Sequence, residues 1–332
     1  MKEEEIRPSS IFKEYLRLCE KDIETFFSDA PRNKIKCPAC QNEGKIEFEK
    51  HRFSYELCPE CYTLFVNPRP ENSTFTRYYK ESESAAYWAS TFYKETAEAR
   101  REKIWKPKAE LLYEKMKANN AMDHHVVDIG GGYGIFAEEM EKISTHPVIV
   151  IEPGPSLAEA CRLKGLHVIE KFFCDVHEED LPKAPKVFVS FELFEHLHDP
   201  GDFLNDVNKV LHKDDLFIFT TLSGQGIDIL TLWEQSKSIS PPHHLNFFNP
   251  QSIRILLNNA GLIPLETSTP GKLDVDLLCQ HASGTHRFWD RYNNVADEKT
   301  RQQWQKVISE TGWSSHMMVV CKRKENGTLA DE

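Results

Sequence analysis

A glycine-rich turn between two apolar segments constrains the fold of this chain more than any other feature. The segment Val126–Ile129 is apolar except for Asp128 and leads into the glycine-rich stretch Gly130–Gly134. A second apolar segment, Val148–Ile151, ends in Glu152. Glycine has no Cβ, so the backbone can turn tightly here and approach a ligand. We therefore predict two neighbouring parallel strands, the first of which passes through the turn into a helix whose free amides face a ligand.

The acid that ends the second segment indicates the kind of ligand. A carboxylate at the tip of a strand beside a glycine turn can accept hydrogen bonds from two ribose hydroxyls, so Glu152 predicts an adenosine-containing cofactor. Gly132, Gly134 and Ala137 also fit the GxGxxA form of the dinucleotide fingerprint. An NAD-dependent oxidoreductase therefore stays open as an alternative at this point.

Further landmarks favour a different cofactor. Asp128 precedes glycines at the alternate positions 130, 132 and 134, and this pattern resembles the first motif of the class I S-adenosylmethionine (SAM) dependent methyltransferases. The segment Val187–Pro200 resembles the fourth strand and following helix of that family, and Leu216–Thr221 resembles its fifth strand. The resemblance implies SAM as the cofactor and an α/β fold with a Rossmann-like, seven-stranded methyltransferase sheet.

The same resemblance implies a set of cofactor-binding residues. An acid after the third strand usually meets the adenine amine in this family, and several acids compete for that role here. We choose Asp175 over Glu178, Glu179 and Asp180, because it follows the apolar residues 172–174. The implied cofactor-binding residues are Asp128, Gly130, Gly132, Gly134, Glu152, Asp175 and Ser190.

Two CxxC pairs form a second motif. The pairs are separated by residues 41–57, a span that accommodates the hairpin of a zinc ribbon, for which residues 45–57 have the required alternation. The predicted ligands of a structural zinc ion are Cys37, Cys40, Cys58 and Cys61. Two disulfides are the alternative, which requires an oxidising compartment. We predict that the other cysteines are buried apolar residues: Cys19, Cys161, Cys174, Cys279 and Cys321.

Pattern and spacing divide the chain into segments. We predict an N-terminal helix in residues 1–35, a zinc ribbon in 36–70, a helical connector or lid in 71–120, the methyltransferase domain in 121–323 and a frayed tail in 324–332. The predicted helices are Ile11–Phe27 with Ser10 as its cap, Ile135–Ile143, Pro155–Lys164 and Pro250–Ala260. The resemblance adds an antiparallel hairpin of Leu262–Thr269 and His316–Lys322, which flanks a helical insertion, Leu273–Glu310.

Composition and charge restrict the acceptor of the methyl group. The sequence has no apolar run of the ~18 residues that span a bilayer, and its acidic first residues lack the apolar region of a signal peptide, so we expect a cytoplasmic protein without a membrane segment. A net charge of −11 disfavours a nucleic-acid partner. We expect a small-molecule acceptor, and Arg100, Arg101 and Lys103 suit an anionic one.

Histidines near the predicted carboxyl ends of the strands are the catalytic candidates. Ligands of open α/β sheets bind at that edge, and imidazole transfers protons near neutral pH. We predict catalytic roles for His196 after the fourth strand and for His243 and His244 in the loop 240–248. The segment 192–196 also resembles the ExxEH segment that holds a divalent metal in O-methyltransferases of quinone biosynthesis and in small-RNA end methyltransferases. This resemblance implies a second metal at Glu192, Glu195 and His196, with a later histidine as a fourth ligand.

Most of the chain is similar to a bacterial type of methyltransferase with an N-terminal zinc ribbon, which serves glycan, sugar-nucleotide or secondary-metabolite pathways. Residues 241–248, PPHHLNFF, lack the His-x-Glu-His arrangement of the sugar C-methyltransferases. We therefore prefer methyl transfer to oxygen. The alternatives are C- or N-methylation of a small molecule, an RNA methyltransferase that uses the ribbon, an oxidoreductase and a non-catalytic SAM-binding protein.

Overall fold

A central sheet of mostly parallel strands organises the computed structural model of this protein, which describes residues 1–282, 284 and 286–325. The strands in this part of the chain are β1 (Arg32–Asn33), β2 (Lys45–Lys50), β3 (Phe53–Leu57), β4 (Leu64–Val66), β5 (Arg69–Pro70), β6 (His125–Ile129), β7 (Ile149–Ile151), β8 (His167–Ile169), β9 (Lys186–Ser190), β10 (Leu216–Leu222), β11 (Asn246–Phe247), β12 (Leu262–Ser268) and β13 (His316–Arg323). The predicted tail lies outside the described residues from position 326 onwards.

Helices surround this sheet and connect it to the N-terminal region. They are α1 (Glu3–Ile6), α2 (Ser9–Phe27), α3 (Asn72–Glu81), α4 (Glu83–Tyr87), α5 (Tyr93–Arg100), α6 (Lys106–Ala118), α7 (Ile135–Glu141), α8 (Pro155–Leu163), α9 (Pro200–Val210), α10 (Ile227–Leu232), α11 (Pro250–Asn259), α12 (Asp274–His281), α13 (Arg287–Val295) and α14 (Glu298–Glu310). Two π-helical turns, Trp88–Phe92 and Arg101–Trp105, join α4 to α5 and α5 to α6. None of the described helices is long and apolar enough to cross a membrane.

The central sheet has the strand order β12-β13-β10-β9-β6-β7-β8. Strands β8, β7, β6, β9 and β10 are parallel, while β13 is antiparallel to both β10 and β12. This arrangement confirms the predicted seven-stranded, Rossmann-like sheet and its final hairpin. The strand order reverses between β6 and β9, and such a switch point opens a ligand crevice at the carboxyl ends of the strands.

Both faces of the central sheet are buried, which explains the continuous apolar runs of its strands. Alternate residues of each strand enter two separate clusters, so Val127 and Phe188 pack on one face while Val126 and Val187 pack on the other. The first face is covered by α9 and α11, and the second by α6 and α7. The edge at the carboxyl ends stays free of these helices and carries the loops described below.

The zinc-ribbon segment forms its own small sheet, and the predicted hairpin is present as β2 and β3. Strand β4 extends this hairpin, and β11 from the distant loop 240–248 pairs with β4 through Asn246 opposite Phe65. The sheet order is therefore β11-β4-β3-β2. A strand from the C-terminal part of the chain thus completes the ribbon sheet.

Several local predictions were wrong. The first long helix begins at Ser9, so Ser10 lies inside it and Pro8 occupies the cap position without a side-chain bond. The helix predicted directly after the fourth strand begins only at Pro200, and residues 191–199 are a loop with a short 3₁₀ turn. Cys174 is exposed, whereas the other four cysteines outside the CxxC pairs are buried as predicted. The division into five segments stays a prediction.

Candidate active site

The glycine turn follows β6 and is held against the end of β7. Gly130, Gly132 and Gly134 have φ values of 75°, 55° and 69°, in the left-handed region that glycine adopts without strain. The Gly130 amide donates to the Ile151 carbonyl at 2.8 Å. The turn therefore lies beside the carboxyl end of β7, where Glu152 follows.

Glu152 is tied to this turn by two backbone amides. Its carboxylate accepts hydrogen bonds from Gly132 N at 2.9 Å and from Gly154 N at 2.8 Å. Burial raises the pKa of Glu152, although these two hydrogen bonds oppose the rise. The carboxylate is thus oriented at the crevice before any ligand binds.

Two buried polar groups near the turn lack partners within the described residues. They are Oδ2 of Asp128, at the end of β6, and Oγ of Ser190, the last residue of β9. Burial, together with the nearby Glu152 carboxylate, raises the pKa of Asp128 to about 7. Buried polar groups are normally hydrogen-bonded. These two atoms, with the glycine turn and Glu152, fit a polar cofactor at the switch point.

The glycines of the turn differ in what a side chain would meet. A Cβ at Gly134 would lie 2.5 Å from Leu166 Cδ1, whereas a Cβ at Gly132 would have no neighbour within 4 Å. We expect Gly134→Ala to lower the free energy of unfolding by about 2–4 kcal/mol through strain and overpacking, and Gly132→Ala by about 1 kcal/mol through strain alone. Gly132→Ala should weaken SAM binding more than Gly134→Ala does, because the methyl group at position 132 enters the open space beside the turn. Denaturant unfolding and calorimetry measure the two effects, and equal effects of the two variants would contradict this assignment.

The predicted adenine contact lies apart from this group. Asp175 is exposed in a 3₁₀ turn, Phe173–Asp175, beyond the end of β8. Among its competitors, Glu178 and Glu179 are also exposed, and Asp180 pairs with Lys171 at 2.7 Å. The choice of Asp175 therefore stays a prediction.

Three predicted functional side chains converge beyond β9. Ligand atoms of Glu195, His196 and His244 all lie within 4.8 Å of one another. Burial, and then the charge of Glu192, raises the pKa of Glu195 to about 8. Burial lowers the pKa of both His196 and His244 to about 3, so both imidazoles are neutral near pH 7. The glutamate, which would lose its proton on binding a metal, and two neutral imidazoles form a donor set suited to a divalent metal ion.

The backbone and a lysine direct Glu192 away from this cluster. Glu192 has a φ of 56°, and its carboxylate accepts hydrogen bonds from Lys108 Nζ at 2.6 Å and Thr220 Oγ1 at 3.1 Å. Burial alone would raise its pKa, but the charges of Lys108 and His316 lower it overall. Of the predicted set, the structure thus brings together Glu195, His196 and the later-loop histidine His244, and it leaves out Glu192. Lys108 and His316 carry no motif in the sequence, so sequence reasoning missed them.

His243 and His244 lie in different surroundings although they are adjacent. Nε2 of His243 is 2.8 Å from Tyr15 Oη and 2.9 Å from Tyr78 Oη, and burial lowers the pKa of His243 to about 3. Nδ1 of His244 is 2.6 Å from the Ser238 carbonyl. That carbonyl requires a proton on Nδ1, which leaves the Nε2 lone pair of His244 for a ligand.

A cavity of about 180 Å³ opens beside Glu192. Of the three basic residues predicted to meet an anionic acceptor, Arg100 and Lys103 line this cavity. Lys103 is ion-paired with Glu5 at 3.2 Å, and Arg100 is buried. Arg101 instead pairs with Glu138 at 2.9 Å and with Glu139, away from the cavity lining.

The four predicted zinc ligands form a compact cluster. Their sulfur atoms all lie within 4.8 Å of one another, with 3.5 Å between Cys37 and Cys61 and 3.4 Å between Cys40 and Cys58. Tetrahedral Zn–S bonds of ~2.3 Å place sulfur atoms about 3.8 Å apart, so the cluster fits zinc with little adjustment. The described residues form no disulfide, in contrast to the alternative of two disulfides.

The ribbon is tied to the histidine loop by buried polar contacts. Arg69 of β5 is buried and donates to the carbonyl of His198 at 2.5 Å and to Asn246 Oδ1 at 2.8 Å. The side chain of Asn249 donates to the Cys61 carbonyl at 2.7 Å. The position of the loop 240–248 therefore depends on the ribbon.

Comparison with known proteins identifies the matching family. A family model described as "Methyltransferase domain" matches residues 95–267. The ubiquinone biosynthesis O-methyltransferase of Aliivibrio fischeri is 29% identical over 118 residues, which are 34% of this chain and 50% of that protein. A protein of the same name from Vibrio cholerae is also 29% identical, over 34% of this chain and 48% of its own length. The chain thus spans about half the length of the curated relatives it matches.

Solved structures of low sequence identity also match. A SAM-dependent methyltransferase from Clostridium acetobutylicum superposes with a TM-score of 0.44 and 12% identity, over 70% of this chain and 99% of that one. Magnesium protoporphyrin IX methyltransferase from Synechocystis gives a TM-score of 0.47 and 10% identity, over 76% of this chain and 100% of that one.

Proposed function

We propose that this chain, which belongs to the methyltransferase domain family, is a class I SAM-dependent methyltransferase. The methyl group goes to an oxygen atom of a small molecule, such as a sugar, a sugar nucleotide or a secondary metabolite. The observation that carries this proposal is the cavity beside Glu192, a residue that follows β9 at the same edge of the sheet as the cofactor turn after β6. Lys108 connects the two, because it lines the cavity, pairs with Glu192 and acts electrostatically on Asp128. A cavity of about 180 Å³ suits part of a small molecule better than a folded partner.

Two observations favour oxygen as the accepting atom. The matched relatives are named O-methyltransferases of ubiquinone biosynthesis. In addition, Glu195, His196 and His244 form a donor set for a divalent ion, and such an ion, when bound, would act as a Lewis acid on an acceptor hydroxyl. The chain's own contribution is to hold His244 by its Nδ1 bond to Ser238, so that Nε2 faces a ligand.

We also propose that Cys37, Cys40, Cys58 and Cys61 hold one structural zinc ion. Four thiolates complete a tetrahedral zinc shell and leave no position for a substrate. The metal would therefore stabilise the ribbon and, through Arg69 and β11, the histidine loop.

The accepting atom is identified by a product assay. Purified protein is incubated with SAM carrying a ¹³C-labelled methyl group and a panel of hydroxylated, amine and keto-sugar acceptors. We expect release of S-adenosylhomocysteine with hydroxylated acceptors and a methyl carbon at the chemical shift of a methoxy group. A methyl group on carbon or nitrogen would contradict transfer to oxygen. SAM binding without turnover on any acceptor would contradict a small-molecule acceptor of these classes.

Glu152→Ala is expected to weaken SAM binding by about 1–3 kcal/mol if the carboxylate holds the ribose through charged hydrogen bonds. Isothermal titration calorimetry measures this change. Glu159→Ala is the matched control, because Glu159 is an exposed acid on the nearby α8. Unchanged affinity of Glu152→Ala would remove Glu152 from the cofactor site.

A further inference from the structure

We propose that the methyl acceptor carries an anionic group, a carboxylate or a phosphate, which binds the guanidinium of Arg100 inside the cavity. This inference rests on the proposed function, because it takes the cavity as the acceptor site.

Arg100 is a buried cation that has no ion-pair partner within 4 Å among the described residues. Only 9% of its surface is exposed, and its Nε has no hydrogen-bond partner. The nearest cation–π partner is the ring of Tyr93, with its centroid 5.7 Å from the guanidinium carbon. Arginine stays protonated at all relevant pH values, and an unpaired buried charge is strongly unfavourable. A group with this environment is suited to a ligand that supplies the missing charge.

The acids in the cavity wall are already engaged elsewhere. Glu192 pairs with Lys108 at 2.6 Å. Asp274 accepts hydrogen bonds from Ser314 Oγ and from Ser315 N, both at 2.7 Å. Neither carboxylate therefore forms a direct ion pair with Arg100, although the charge of Glu192 acts on it from a distance.

Cations exceed acids around this space. The basic side chains of the lining are Arg7, Arg100, Lys103, Lys108 and Lys272, against the carboxylates Glu192 and Asp274. Arg7 contacts Glu3 only at 3.9 Å, and Lys272 is exposed at the rim. The local field thus favours an anion although the whole chain carries a net charge of −11.

Much of the remaining lining is apolar. Ile6, Ile104, Leu111 and Met318 contribute side chains, so the body of the ligand meets hydrocarbon. The first helical turn, α1, covers one side and is fixed there by Glu3, whose carboxylate lies 2.8 Å from His281 Nε2. A molecule with an apolar or ring-shaped body and one anionic end matches this combination. The planar guanidinium binds both carboxylate and phosphate with two parallel hydrogen bonds.

The test measures binding of small anions and does not depend on turnover. The probes are 4-fluorobenzoate, its neutral counterpart 4-fluorobenzamide, and phenyl phosphate, observed by ¹⁹F and ³¹P NMR with the full-length protein. We expect at least one anion to bind with clear preference over the amide, and the better of the two identifies the anionic group. Arg100→Gln should weaken that binding ~10- to 100-fold, because charged hydrogen bonds are lost.

Two further variants separate binding from folding. Arg100→Lys keeps the charge and should retain part of the affinity, while Lys94→Gln removes an exposed charge from the same helix, α5, and should change nothing. If Arg100 has only a structural role, Arg100→Gln will lower the melting temperature. We expect that temperature to stay constant or rise, because an unpaired buried charge is removed.

The possible outcomes distinguish this inference from the function itself. Equal binding of the anions to the wild type and to Arg100→Gln, or no binding of either anion to the wild type, would overturn the inference. If calorimetry detects no SAM binding to the wild-type protein, the proposed function is overturned. The anion titrations would still show whether Arg100 binds an anionic group.

Discussion

Cys58→Ser is expected to remove zinc, to lower the free energy of unfolding by about 4 kcal/mol or more, and to abolish methyl transfer. A structural zinc site contributes its binding energy to folding, and loss of a metal ligand is among the most destabilising substitutions. Activity should be lost as well, although the cluster is not the catalytic site, because β4 of the ribbon pairs with β11 and Arg69 bonds to Asn246 in the histidine loop.

The measurements are zinc content by native mass spectrometry, the melting temperature, and release of S-adenosylhomocysteine. Cys174→Ser is the matched control, because Cys174 is exposed and lies outside the cluster, so this variant should retain all three properties. A wild-type protein that contains two disulfides in place of zinc would contradict the proposal. A zinc-free Cys58→Ser protein with normal activity would show that the loop does not depend on the ribbon.

His244→Gln is expected to lower turnover by about 100-fold or more while SAM affinity stays constant. The imidazole presents its free Nε2 beside Glu195 and His196, and loss of a positioned proton acceptor or metal ligand has effects of this size. Turnover is measured with the acceptor that the panel identifies, and SAM affinity by calorimetry. His212→Gln, which changes an exposed histidine, is the control.

His243→Gln tests whether the two adjacent histidines have different roles. Its Nε2 is already bonded to the hydroxyls of Tyr15 and Tyr78, so we expect a loss of about 1–3 kcal/mol of stability. Turnover at a temperature where the variant is folded should fall much less than in His244→Gln. The opposite order would assign the catalytic role to His243.

Titration of Mg²⁺ or Mn²⁺ into wild-type protein and into the Glu195→Gln variant tests the second metal. Equal metal binding by the two proteins would exclude Glu195 as a ligand.

Local patterns in the sequence predicted those parts of the site that lie within one short segment. The glycine turn from Gly130 to Gly134 and the two CxxC pairs depend on backbone geometry and ligand spacing over a few residues, so the sequence carries them directly. The apolar runs of β6, β7, β9 and β10 likewise predicted a parallel sheet buried on both faces. The predicted start of the helix at Ile11 lies two residues after the observed start at Ser9, because several neighbouring residues are compatible with a helix start.

Local sequence patterns did not predict the contacts between distant segments. Lys108 draws Glu192 out of the predicted metal group, and the positive φ of Glu192 accompanies that change. His243 and His244 are adjacent in the sequence but have different surroundings in the structure. Tyrosine hydroxyls from α2 and α3 bond to the imidazole of His243 and not to that of His244. No periodicity or motif in the chain encodes pairs that are 84 or 228 residues apart.

The sequence by itself thus determined the class of fold, the glycine turn and the pairing of four cysteines in two CxxC motifs, because each depends on residues that are neighbours along the chain or repeat with the period of a strand. Only the tertiary structure decided that β11 completes the ribbon sheet, that Glu192 lies outside the group of Glu195, His196 and His244, and that Arg100 is buried with no ion-pair partner among the described residues. The physical reason is that burial, charge pairing and ligand geometry are properties of the space between elements, and that space exists only after the sheet, the ribbon and the N-terminal helices have packed together.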